Sequence, residues 1–426
     1  MVGAEGAVAE LIASRYVRRP AAFIPAEQVQ TGSVRFGDGL AVDADLLVAA
    51  EQATAQAIDA LGGEAPDLLA VFVCGGEVEA AEAALQRAAG LSGASAAIGC
   101  TAPGVIGDGR GVEATAAAAV WCAVLPEARL RTFDLEVIRG DAGMSVVGMP
   151  DRHDEDSVAI LLADPWSFPV DGFVDQCNTV LPGLPIVGGM AAGAAGRGST
   201  RLLVDDHVVD RGAVGVVLGG PVGAHAFVSQ GCRPVGPAMT VTAADGNLLL
   251  ELAGVPALEK LREILAMLPP DEQALVSEGL QLGIARDEYV EEHVQGDFLI
   301  RGVAGADEGH GWLVVGDVVP VGRTVRFQVR DATAADVDLR ERMKEFRDAD
   351  DAEPVEGALL FSCNGRGAHL FGSADHDPQA VRSGLAAHGV AGIFAAGEIG
   401  PVGGRNFVHG FTASILAFGA APAGVG

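Results

Sequence analysis

Near the C-terminus, two Gly-rich turns hold side chains suited to gripping a charged small molecule. Arg366 lies in FSCNGRGAHLFG, and Glu398, Arg405, Asn406, His409 and Thr412 lie in AAGEIGPVGGRNFVHGFTASI. An arginine fork takes a carboxylate through two parallel hydrogen bonds, and a carboxylate takes an ammonium. Arg366 or Arg405 together with Glu398 is therefore the set that an amino acid or another zwitterion requires. The same residue types also build structural ion pairs. Breaking a buried pair costs about 3–5 kcal/mol, so a pairing that merely holds the loops together is the competing reading. Asn364, Asn406 and Thr412 can add neutral hydrogen bonds, although Asn beside Gly also serves turns. His409, a lone histidine before an apolar run, reads more simply as a hydrogen-bonded core residue than as a base or ligand.

Cys363 closes one apolar run, and Cys100 with Thr101 closes another in AIGCTAPG. These three complete the candidate ligand contacts. Cys363 with His409, or Glu398 alone, would carry the alternative of an enzyme, a hydrolase or a transferase. A thiolate nucleophile needs a base and oxyanion donors, and no nucleophile signature surrounds either cysteine. No catalytic residue is assigned.

Cysteines 74, 100, 122, 177, 232 and 363 lie far apart without a C-x-x-C, so no metal site is signalled and reduced, half-buried thiols are expected. C-x-x-C-H is absent, which excludes covalent haem. No cofactor is expected; noncovalent haem stays open as an alternative, with His225, His369 and His409 as candidate axial ligands. The Gly clusters at 104–111, 188–198 and 400–404 lack dinucleotide and P-loop spacing and read as tight turns between strands.

Such turns need strands to end at them. Short apolar runs bounded by Gly predict three strand–helix–strand–Gly loop–strand units. The first has strands 68–74, 95–100 and 114–125 with helix 77–89. The second has strands 157–162, 185–188 and 212–218 with helix 170–181, and the turn DPWSFP (164–169) is expected to bury Trp166 and Phe168. The third has strands 359–363, 390–396 and 408–418 with helix 378–387. A strand–helix–strand unit favours parallel pairing, whereas the strand after each Gly loop follows too closely for a crossover and is expected antiparallel. The fold class is therefore α/β, with mixed sheets covered by helices and built from repeated units.

QGCRPVGP (230–237) reads as a break and sets the boundary between residues 41–236 and 237–420, with 1–40 an unplaced N-terminal segment. Beyond it, short strands at 239–241, 248–252, 280–285, 297–303, 312–315 and 324–329 accompany helices at 256–268 and 335–346.

Of the 426 residues, 49% are hydrophobic and 20% charged, so the chain folds; aromatics are only 5%, leaving Ala, Val, Leu, Ile and Gly to build the core. At roughly 150 residues per domain, two or three domains are expected. A net charge of -29 repels phosphate backbones and argues against nucleic acid as a main partner. The N-terminus lacks a basic stretch followed by an apolar one, and no uninterrupted apolar run reaches about 18 residues. A cytoplasmic protein that avoids the membrane is the expectation.

GEIGPVGGRNFVHGFTASI, with FSCNGRGAHLFG ahead of it, resembles the C-terminal half of the FIST family (F-box and intracellular signal transduction). AIGCTAPGVIG, LLADPWSFP, PIVGGMAAG, GAVGVVL and VSQGCRPVG resemble the N-terminal half, and the blocks run in order over residues 45–415. The resemblance implies a bacterial, stand-alone, intracellular sensory module for small ligands such as amino acids; some members are associated with haem and nitric oxide sensing. About ten residues follow Phe418 and the first 40 are too short for a kinase or cyclase, so any signal is expected to pass through a separate protein.

Overall fold

The computed structural model describes residues 33–140, 143–289, 293, 296–349 and 354–419, so most of the unplaced 1–40 segment lies outside the described residues. Three mixed sheets are wired alike. In the first, Leu68–Cys74 pairs in parallel with Ala96–Thr101 and antiparallel with Ala117–Val124, which in turn holds Arg35–Val42 at the edge. The second sets Asp156–Ala163 between parallel Ile186–Met190 and antiparallel Ala213–Gly219, followed by Arg129–Gly140. The third sets Val355–Cys363 between parallel Gly389–Ala395 and antiparallel Thr412–Gly419, followed by Gly223–Gln230. Helices Val78–Ser92, Val170–Val180 and His376–Leu385 make the parallel crossovers.

The central strands are buried on both faces, which is why they read as unbroken apolar runs. Leu68, Ala70 and Phe72 face a core shared by all three sheets, while Leu69, Val71 and Val73 face the covering helices. Helix Leu46–Ala60 starts at Asp45, whose carboxylate accepts from Leu47 N at 3.0 Å. It lies so close to its strand that a Cβ at Gly39 would stand 2.1 Å from Ala53 O. Small residues thus replace aromatics as the means of dense packing.

The Gly clusters at 104–111 and 400–404 lie within two-stranded hairpins rather than in simple turns, whereas residues 191–201 form the turn-rich connection expected there. The hairpin that follows the second strand of each unit leaves its own sheet and completes another. Gly104–Gly107 with Arg110–Glu113 joins Gly389–Ala395 of the third sheet. Leu202–Val204 with His207–Val209 joins Ala96–Thr101 of the first. Glu398–Val402 with Arg405–His409 joins Ile186–Met190 of the second. The predicted strand 408–418 is accordingly two strands, broken at Gly410 and Phe411, and Phe411 sits at φ 60°.

Between strands Gly223–Gln230 and Val355–Cys363 of the third sheet, residues 232–330 close a six-stranded antiparallel barrel. Its order is Cys232–Asp245, Thr324–Arg330, Leu280–Ala285, Phe298–Asp307, Trp312–Val315 and Leu248–Leu252, which pairs back to the first. Within QGCRPVGP only Gly231 lies outside a strand, between Gly223–Gln230 and Cys232–Asp245, and a register shift between Val235 and Met239 absorbs Pro237. Helix Ala257–Met267 presents Leu258, Leu261 and Ile264 to the barrel core, and Pro270–Glu278 is a helix that the pattern did not signal. Trp166 is 57% exposed rather than packed beneath its turn, whereas Phe168 is buried. No helix among the described residues is long and apolar enough to cross a membrane.

Candidate functional site

The predicted residues do not gather in one place. Arg366, Glu398 and Cys363 meet in the interior, where the strand ends of the third sheet lie against the barrel. Arg366 donates through Nε and Nη2 to Asp377 at 2.7 and 3.0 Å, and Ser362 Oγ donates to the same carboxylate at 2.6 Å. Burial opposes ionisation of Asp377, but the Arg366 charge and the hydrogen bonds from His376, Arg366 and Ser362 overcome it and hold the carboxyl well below its usual range. Glu398 accepts from Thr412 N and Oγ at 2.9 and 2.8 Å. Its burial outweighs those bonds and pushes the carboxyl up to about 8. Arg366 Nη1 and Glu398 Oε1 are buried without hydrogen-bond partners. Both residues are 0% exposed, so no outside molecule reaches them unless the surrounding loops move.

The Cys363–His409 dyad does not form. Burial, with Glu398 facing it, drives the Cys363 thiol far above its ordinary value. His409 Nε2 is spent on Gly400 O at 3.0 Å, and burial pulls the imidazole down to about 4 despite that bond. His225 and His369 are exposed, whereas His409 is buried. Among the described residues, no group of three or more His, Cys, Asp or Glu is placed to hold a metal.

Asn406 serves the hairpin as a clamp. Its amide donates to Leu184 O at 2.9 Å and accepts from Ile186 N at 2.8 Å, while Asn178 bonds its backbone at 2.8 and 2.9 Å. Both the amide nitrogen and the amide oxygen of the side chain are thereby engaged by the protein. Cys100 is a core residue paired with Leu202, and Thr101 Oγ1 accepts from Arg201 N at 3.0 Å. Asn364 is exposed and bonds through its backbone to Ala395 O at 2.9 Å, as a turn residue does.

Arg405 alone of the predicted set lines an open pocket. This cavity, of about 590 Å³, lies between the barrel and the hairpin of residues 398–409. Arg286, Arg323 and Arg405 line it together with Asp175, Asp287 and Asp297. Arg405 pairs with Asp175 at 3.3 Å and Arg286 with Asp297 at 3.4 Å, both loose contacts. Arg286 Nε is buried without a partner, and burial lowers the affinity of its guanidinium for its proton although Asp297 counteracts this. Gly403 at the hairpin turn comes so close that a Cβ there would stand 3.2 Å from Arg286 Nη1. Arg286 and Asp287 sit just past the strand Leu280–Ala285, a strand-end position that sequence reasoning weighed only in the sheets. Asp175 and Arg323 carry no local signal, and only the fold gathers them.

The chain matches the family model described as FIST N domain over residues 67–255 and the one described as FIST C domain over residues 257–401. It is similar to an uncharacterized protein of Mycobacterium tuberculosis, 44% identical over 387 residues, covering 90% of this chain and 100% of the relative. An uncharacterized protein of Mycobacterium bovis is 43% identical over 385 residues, covering 90% of this chain and 99% of the relative.

Proposed function

Because this chain belongs to the FIST family and carries its N and C domains in order, we propose that it senses a small polar metabolite, such as an amino acid, held between the barrel and the hairpin of residues 398–409. FIST domains in general are regarded as sensory, ligand-binding signalling domains. The observation that carries the reading is the buried, unpartnered Nε of Arg286 in a 590 Å³ pocket of three arginines and three aspartates. A guanidinium in that state gains most from a carboxylate, and the aspartates offer the complementary seat for an ammonium. The protein works in the bacterial cytoplasm on this reading and passes its signal to a separate protein.

Titration calorimetry with the proteinogenic amino acids tests it. Saturable binding is expected, weakened more than tenfold by Arg286→Ala and by Arg405→Ala, two residues on the pocket wall whose loss leaves the core intact. Affinity unchanged in both variants would sink the assignment.

A further inference from the structure

The barrel is an insertion in the third sheet. The chain leaves strand Gly223–Gln230 through Gly231 and returns from Arg330 through Asp331 into helix Ala332–Arg347. The two passages run side by side: Cys232 pairs with Arg330, and Asp331 N donates to Gly231 O at 3.5 Å. They make a two-stranded neck. A Cβ at Gly231 would stand 2.4 Å from Phe411 O and 2.8 Å from Arg366 Nη1, so the neck lies directly against the body.

Beyond the neck, the barrel has its own core, from Val235 and Val241 through Leu282, Leu313 and Phe327. The seam to the body is far thinner. Its buried apolar residues are Cys232, Ala285, Phe298 and Ile300, with Phe411 packed on them. A module with its own core and a small seam moves as a unit by default. Among the described residues, the polar ties across the seam begin at the neck, where Gly231 N donates to Phe411 O at 2.8 Å. Arg301 Nη1 donates to Val408 O at 3.1 Å and Nη2 faces Asp171 at 3.8 Å. The Arg330 guanidinium lies 4.6 Å from the Phe411 ring, and Gln230 Nε2 donates to Phe298 O at 3.0 Å.

The pocket straddles this seam. Arg286, Asp287, Asp297, Leu299 and Arg323 belong to the barrel, whereas Asp175, Val402, Gly403, Arg405 and Phe407 belong to the body. We infer that the barrel swings on the neck of Gly231 and Asp331, and that a ligand bridging the two pocket walls closes it against the hairpin. The inference rests on the pocket reading above and adds its regulation. A bridging ligand touches both walls only in the closed arrangement, and that difference in contacts shifts the population. Arg301 is the latch that limits opening in the unliganded protein.

Spin labels on Met267→Cys in the barrel and Leu91→Cys in the body report the motion; those side chains are 73% and 42% exposed, and the six native cysteines are buried. Distance distributions from double electron–electron resonance are recorded with and without a mixture of the proteinogenic amino acids, with binding followed by calorimetry on the same samples. Heat of binding together with a shifted, narrower distribution supports closure. Heat of binding with an unchanged distribution overturns closure and leaves the pocket reading standing. If no heat appears, the amino-acid reading fails, and closure is decided by Arg301→Ala without ligand. A broader distribution than in the parent supports the hinge, and an identical one overturns it.

Discussion

Arg366 and Asp377 are locked to each other in the interior, fork to fork, at 2.7 and 3.0 Å with at most 2% of either side chain exposed. This geometry gives Arg366 a structural role first. Arg366→Ala leaves the buried Asp377 carboxylate with only Ser362 and His376 as partners and is expected to cost about 3–5 kcal/mol of stability. Arg366→Lys should recover little, since a point charge cannot replace the planar fork. Chemical denaturation measures both; a loss near zero for the Ala variant would show that the pair is dispensable.

Glu398 makes stability depend on pH in a defined direction. Burial raises its carboxyl from 4.5 to about 8, so the folded chain keeps a proton that the unfolded chain releases between those values. The contribution of Glu398 is fully present below pH 4.5 and is lost as pH rises towards about 8. Glu398→Gln keeps an acceptor for Thr412 and removes the titration. Relative to this variant, the wild-type protein should lose a few kcal/mol across that window, at most about 1.4 kcal/mol per pH unit. Parallel pH curves for the two proteins would refute the protonated carboxyl.

Asn406 fastens the hairpin of the third unit to the second sheet. Asn406→Ala leaves Ile186 N and Leu184 O without their side-chain partners in a buried place, at about 1–3 kcal/mol per group. Hydrogen exchange is expected to quicken in Arg405–His409 before it does in Thr412–Gly419. Uniform loss of protection would instead make the hairpin inseparable from the sheet.

What could be read from the chain was local. Leu68–Cys74 and residues 359–363 of Val355–Cys363 announce themselves because both faces are apolar and Gly or Asn stops them. The antiparallel third strand of each unit followed from the short connection. The exchanged hairpins did not show, because Gly188 meets Ile399 and Phe394 meets Gly104 across most of the chain. Strands of four or five residues carry too few alternations to betray a partner. Arg366 was visible as a charged residue at a strand end, but Asp377 looked like the start of a helix. Arg286, Arg323 and Arg405 stand far apart in sequence, and only barrel closure and hairpin exchange bring them to one cavity.

The exchange of hairpins also sets a timetable for synthesis. Gly104–Gly107 and Arg110–Glu113 leave the ribosome long before the strand that receives them, Gly389–Ala395, because residues 114–388 are made in between. At about 5–20 residues per second, the hairpin waits on the order of tens of seconds with its backbone edge bare. The first half cannot finish folding while it is being translated. A nascent chain interrupted between the two halves would carry that open edge into the cell, where chaperone capture or degradation is its natural fate.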